Sequence, residues 1–251
     1  MVLLSNQKFG LLYFPGPRAL AYVNVLANQK VLPSIIITLA NKRGENGIRK
    51  SRDLPFGEKL FPKYLTIEDF SKGENIPIVE LDVESINHPD VISALSNSGQ
   101  REWLFTGGGI LKQPLFEVGI KYIHIHPGKL PEVKGSTCFY YSLLFNNTLH
   151  ASVFYMTPKL DSGKALLVKP FNINIKPSDL SSEFIDYVLD PWIRASALAS
   201  FIKQESYDIT PLDTPSNRPC YIMHPVLRAL TIKKLHSRFD VNKPEGIFDG
   251  E

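Results

Sequence analysis

Ile35-Ile36-Ile37-Thr38-Leu39 stands between Pro33-Ser34 and a polar, turn-rich stretch. A run this short, β-branched and without a polar face reads as a strand covered on both sides. Such a strand needs helices above and below it, which restricts the chain to an α/β architecture. The neighbouring segments obey the same grammar. Gly10–Phe14, Pro77–Leu81, Glu102–Thr106 and Lys121–His126 read as further strands, as does Val2–Leu4. Between them, Arg18–Lys30 carries Leu20, Val23, Leu26 and Ala27 at helical spacing behind Pro17. Asp90–Ser98 and Pro114–Val118 read as shorter helices. This alternation predicts a doubly wound, mostly parallel sheet. Ala40–Lys63, rich in charge, glycine and proline, reads as a long loop.

After Gly135 the pattern changes. Thr137–Phe145 reads as a helix. Ala151–Thr157 and Ala165–Ile175 read as an antiparallel pair of strands added to the sheet. Ser181-Ser182-Glu183 opens a helix to about Ile202, with Pro191 expected to kink it, and Pro225–Leu235 reads as another helix. We therefore expect an α/β domain over 1–176 and a small helical or irregular extension over 177–251 packed on it.

Composition bounds the function. Hydrophobic residues make up 43% of the 251, enough for a folded core, and 28 basic against 25 acidic residues give a net charge of only +3. That balance does not point to nucleic acid or to an anionic membrane surface. Cys138 and Cys220 form neither a disulfide framework nor a CxxC metal site, so a reducing, cytoplasmic setting is expected. No apolar run approaches the ~18–20 residues of a membrane span, and the first residues lack the pattern of a signal peptide.

The densest polar cluster in an apolar frame is Tyr122-Ile123-His124-Ile125-His126-Pro127-Gly128-Lys129-Leu130-Pro131. Residues two apart in a strand share a face, so His124 and His126 point the same way at the strand's carboxyl end, where open α/β sheets bind ligands. The segment from Pro127 to Gly135 forms a loop over them. Further on, Asp161-Ser162-Gly163 sits in the turn between two strands. By itself it is an ordinary hairpin turn. Two histidines and an aspartate suit a zinc or iron site, or metal-free acyl transfer in which imidazole stabilises an oxyanion. Spacing alone does not choose between them.

The segment Phe105–Ile173 resembles the catalytic core of the folate-dependent formyltransferases. The resemblance is carried by His126-Pro127-Gly128-Lys129-Leu130-Pro131, Gly135, Leu160-Asp161-Ser162-Gly163, the upstream Phe105-Thr106-Gly107-Gly108-Gly109-Ile110-Leu111 and the strand Ala151–Met156. His124 departs from the family pattern, which has asparagine there. The resemblance implies a formyltransferase-type, Rossmann-like core, with 1–176 as catalytic domain and 10-formyltetrahydrofolate as co-substrate. It implies His126 as an imidazolium supported by Asp161 on the developing oxyanion, His124 as a second donor, and no metal. Phe105, Gly107, Ile110 and Leu111 on one wall and Pro158 and Leu160 on the other would hold the folate. Arg18, Lys129 and Gly135 are the candidates for the acceptor. Arg18 stands at a strand-to-helix turn, where anions bind. Asp190–Arg194 and Tyr221–Pro225 either pack or shape the acceptor pocket.

The expected activity is formyl transfer to the amine of a small molecule, with a nucleotide-linked amino sugar as one such acceptor and homodimerisation left open. The alternatives are a formyltetrahydrofolate hydrolase, a metal-dependent hydrolase using both histidines, and a non-catalytic folate-binding relative.

Overall fold

A computed structural model describes residues 8–204, 206, 209–212 and 219–249. The expected strand Val2–Leu4 lies outside them. Strands β1 (Gly10–Tyr13), β2 (Ile35–Leu39), β3 (Ile78–Leu81), β4 (Glu102–Phe105) and β5 (Lys121–His126) pair in the order β3-β2-β1-β4-β5, all parallel. β6 (Leu149–Met156) and β7 (Gly163–Asn174) continue the sheet antiparallel beyond β5. Two short strands, β8 (Thr210–Pro211) and β9 (Gly246–Asp249), pair with opposite ends of β7.

The sheet divides the interior into two apolar layers. Leu11, Tyr13 and Ile36 face one layer; Leu12, Ile37 and Leu39 face the other. The first layer is closed by α1 (Pro17–Gln29) and, further along the chain, by Phe139, Leu143, Ile193, Leu198 and Phe201. The second is closed by Val91, Leu95 and Leu115. This is the doubly wound α/β sheet with added antiparallel strands that the alternation predicts.

Ala40–Lys63 is not a loop. It contains α2 (Lys42–Asp53) and a 3₁₀ turn over Gly57–Leu60, and is followed by α3 (Ile67–Glu74). α2 has no apolar stripe, because its inward face is made of small residues. Gly47 and Ser51 are buried, and a Cβ at Gly44 would lie 1.8 Å from the Pro15 carbonyl oxygen. The helix is seated by close backbone approach, which a search for apolar periodicity does not detect.

The remaining helices are α4 (Pro89–Asn97), α5 (Gln113–Glu117), α6 (Cys138–Asn146), α7 (Asp190–Lys203) and α8 (Pro225–His236). α7 follows a helical turn at Ser182–Phe184 and a π-helical turn at Ile185–Leu189. Pro191 thus stands where the π-helical turn passes into α7, so the helical run loses its regular hydrogen bonding beside the proline, the break expected there. α7 packs against α1, β6 and β7, so residues beyond 176 fill the main core.

Candidate active site

β1 and β4 are neighbours, and the chain leaves their carboxyl ends toward opposite edges of the sheet. That divergence opens a crevice at the position where doubly wound sheets bind ligands. Two contacts fix its shape: the Phe14 N–H donates to Thr106 Oγ1 at 2.9 Å, and Arg18 Nε donates to the Thr106 carbonyl at 2.6 Å. Gly107 and Gly108 follow with φ of 115° each. A Cβ at Gly107 would lie 1.8 Å from Arg18 Nη2, and one at Gly108 would lie 2.3 Å from the Phe14 ring. Glycine is required there both by the left-handed backbone and by the arginine laid against it.

The crevice deepens into a cavity of about 790 Å³, within the range of small-molecule sites. His124, His126 and Asp161 all line it. His126 is 2% exposed; its Nε2–H donates to the Val133 carbonyl at 2.8 Å, and its Nδ1 lies 3.5 Å from Asp161 Oδ1. Asp161 Oδ2 accepts the Gly135 N–H at 2.6 Å. The aspartate itself has φ 44°, a left-handed conformation that Asp tolerates better than most residues. Its carboxylate thus ties the loop after β5 to the β6–β7 turn. Burial lowers the His126 pKa and the Asp161 charge opposes that.

His124 is placed differently. Its Nδ1 lies 2.9 Å from the Phe105 carbonyl oxygen, and its ring packs against Phe105 and Phe154. A carbonyl only accepts, so Nδ1 carries the hydrogen. Burial, with Arg18 and Arg194 nearby, holds the His124 pKa well below its ordinary 6.5. The ring is therefore neutral at pH 7, and Nε2 offers a lone pair.

The remaining candidates separate cleanly. Phe105, Gly107, Ile110 and Leu111 line one wall and Pro158 and Leu160 another, and Arg18 and Gly135 also line the cavity. Ile110 is 64% exposed and Leu160 40%, apolar side chains left open at its mouth. Lys129 does not line the cavity; its Nζ pairs with Glu132 Oε1 at 2.6 Å on the surface. Among the described residues no carboxylate lies within ion-pair distance of Arg18, and burial together with Arg194 brings its guanidinium pKa down to about 10.

The cavity is also lined by Tyr140, Asp186, Asp190, Arg194 and Arg228. Arg194, 8% exposed, pairs through Nε with Asp190 Oδ1 at 3.1 Å and donates from Nη1 to the Ile125 carbonyl at 3.0 Å. Tyr140 donates its hydroxyl to Asp186 Oδ1 at 3.1 Å, and burial raises the Asp186 pKa. Sequence reasoning passed over Tyr140, Asp186 and Arg228. Asp190 and Arg194, which the sequence marks as packing or acceptor-pocket residues, do line the cavity, whereas no local pattern sets Tyr140, Asp186 and Arg228 apart. Among the described residues no group of His, Cys, Asp and Glu side chains converges in a way that could hold a metal ion.

The architecture is that of an α/β protein with its ligand site at the carboxyl edge of the sheet, and solved structures share it. The chain superposes on a sugar N-formyltransferase from Shewanella sp. with a TM-score of 0.53 at 12% identity, covering 92% of this chain and 90% of that one. It matches glycinamide ribonucleotide transformylase 1 from Symbiobacterium toebii with a TM-score of 0.51 at 15% identity, covering 82% and 94%. A formyltetrahydrofolate deformylase from Pseudomonas syringae pv. tomato gives a TM-score of 0.52 at 14% identity, covering 83% and 67%. No family model and no curated protein matches the chain. The chain has the formyltransferase fold. At these identities the likeness is one of fold, and chemistry rests on the site.

Proposed function

We propose that this protein transfers a formyl group from a 10-formyltetrahydrofolate donor to the primary amine of a small molecule. The reading is carried by the convergence of His124, His126 and Asp161 on one cavity at the carboxyl edge of a formyltransferase-type sheet. The residues present fit a folate: Gly107, Ile110, Leu111, Pro158 and Leu160 all line the cavity, and Ile110 and Leu160 keep apolar surface open for a ring. When bound, the folate supplies the activated one-carbon carbonyl.

The chain's own groups then have separable tasks. His124 Nε2 accepts the proton that the attacking amine sheds. Arg18, with no carboxylate within ion-pair distance among the described residues, donates to the formyl oxygen as negative charge builds on it. His124 then returns that proton to the departing folate nitrogen as its bond to the formyl carbon breaks, while His126 and Asp161, joined at Nδ1, hold the loop over the reacting carbon. Asp186 and Asp190 hold polar groups of the acceptor, and a nucleotide-linked amino sugar suits this mixed acidic and basic end.

The test is turnover of 10-formyltetrahydrofolate across a panel of amines. Amine-dependent loss of the donor supports the reading, and His124→Ala should lower the rate roughly 10²–10⁴-fold, the usual share of a general base. Neither binding nor consumption of the donor with any amine would sink it.

A second reading is favoured by one observation. An unprotonated His124 Nε2 suits activation of water as well as it suits an amine, and a deformylase shares the fold. Formate release without added amine would assign the protein as a formyltetrahydrofolate hydrolase.

A further inference from the structure

A second cavity, of about 850 Å³, opens at the same edge of the sheet and shares no lining residue with the first. Its floor is a row across three strands. Tyr13 on β1 is in register with Thr38 on β2, and Thr38 with Glu80 on β3. Register partners in a sheet present their side chains on one face, so the three stand side by side. Tyr13 is 1% exposed and Thr38 7%. Neither side-chain hydroxyl has a hydrogen-bond partner among the described residues. Neither is sealed off as the Tyr22 hydroxyl is, so both open into the cavity. The Tyr13 phenol feels the charges of Glu68 and Glu45, which line the same space. Buried hydroxyls without partners are uncommon in folded proteins, and at a cavity floor they are available to a ligand.

Charge narrows the class of ligand. The walls carry Glu45, Glu68, Asp69, Glu80 and Asp82 against Arg49 and Arg52, a balance of −3. These carboxylates do not converge as a metal cage would. They are spread along the walls, which suits positive charge distributed over an extended molecule. Floor hydroxyls accept hydrogen bonds from ammonium or hydroxyl donors and also donate to oxygen.

We propose that this cavity binds an aliphatic ligand with several ammonium groups, of the polyamine or aminated-sugar class. Its donors rest on Tyr13, Thr38 and Glu80, and its outer charges lie among Glu45, Glu68 and Asp82. The proposal uses no residue of the formyl-transfer reading and stands or falls separately from it.

The test is calorimetric titration of the full chain with spermidine and, separately, with neamine, a sugar compound bearing four amines, at low salt. Saturable binding of spermidine assigns the site to polyamines; tighter binding of neamine assigns it to aminated sugars. Tyr13→Phe and Thr38→Val should each weaken binding about 3- to 10-fold, the worth of one hydrogen bond. Glu80→Gln should weaken it at least as much, and about 0.5 M salt should weaken it further. Since neither hydroxyl has a partner among the described residues, the first two variants should keep the wild-type melting temperature, which separates lost binding from lost fold. No saturable binding of either compound at millimolar concentration overturns the proposal. So does binding that is unchanged in all three variants.

Discussion

His124 and His126 stand two residues apart on one strand and end in opposite circumstances. Each gives one nitrogen to a carbonyl oxygen, of Phe105 and Val133 respectively. The second nitrogen of His126 faces Asp161, whereas among the described residues no carboxylate lies within ion-pair distance of His124. The difference is testable by pH. A histidine whose folded pKa lies below its unfolded value binds fewer protons when folded, so stability rises with pH between the two values. We expect the melting temperature to fall as pH drops below about 6.5, and His124→Asn to remove part of that fall. Nitrogen NMR of the histidines should show His124 Nε2 unprotonated at neutral pH. At His126 the aspartate raises the pKa, so Asp161→Asn should move its titration midpoint further down, read by the same spectra. The facing of the two histidines was legible in the sequence from the period of a strand. Their hydrogen-bond partners were not, because Phe105 and Val133 are brought to them only by the sheet and by the loop that follows β5.

Elements show where local pattern stops being informative. β2 announces itself through five apolar or β-branched residues, but α2 does not, because Gly44, Gly47 and Ser51 form its inward face. Gly44→Ala would drive a Cβ into the Pro15 carbonyl and should cost about 2–3 kcal/mol in urea unfolding, toward the upper end for overpacking. Gly16→Ala meets nothing within 4 Å and should cost less than about 1 kcal/mol. In the loop over the site, Gly135 has φ 104°, and a Cβ there would lie 2.3 Å from the Cys220 carbonyl oxygen. Gly135→Ala should therefore loosen the N–H that anchors Asp161, and destabilise the protein by roughly 1–3 kcal/mol. Lys129 is a related case. It lies in the motif that carries the family resemblance, yet the turn it occupies aims it at Glu132 rather than at the cavity.

At the scale of the whole molecule, the chain past 176 belongs to the same packed body as the sheet. Ile193, Ala197, Leu198 and Phe201 on α7 are fully buried in the layer that holds α1, and β9 extends the sheet from β7. Burying each large side chain is worth about 1.5–3 kcal/mol, so α7 contributes an amount comparable to the ~5–15 kcal/mol stability of a whole domain. A chain ending at residue 176 should not fold cooperatively, which circular dichroism and urea titration would show. α7 also carries Asp190 and Arg194 into the cavity, so the same truncation removes part of its far wall. The class of fold, the alternation of its strands and helices and the face shared by the two histidines follow from the sequence by itself, because strand and helix periods are local properties of the chain. The pairing of His126 with Asp161, the proton on His124 Nδ1, the seat of α2 and the second cavity over Tyr13 and Thr38 were decided only in three dimensions. Each of them joins groups distant in the chain, and no local period records which distant group will arrive.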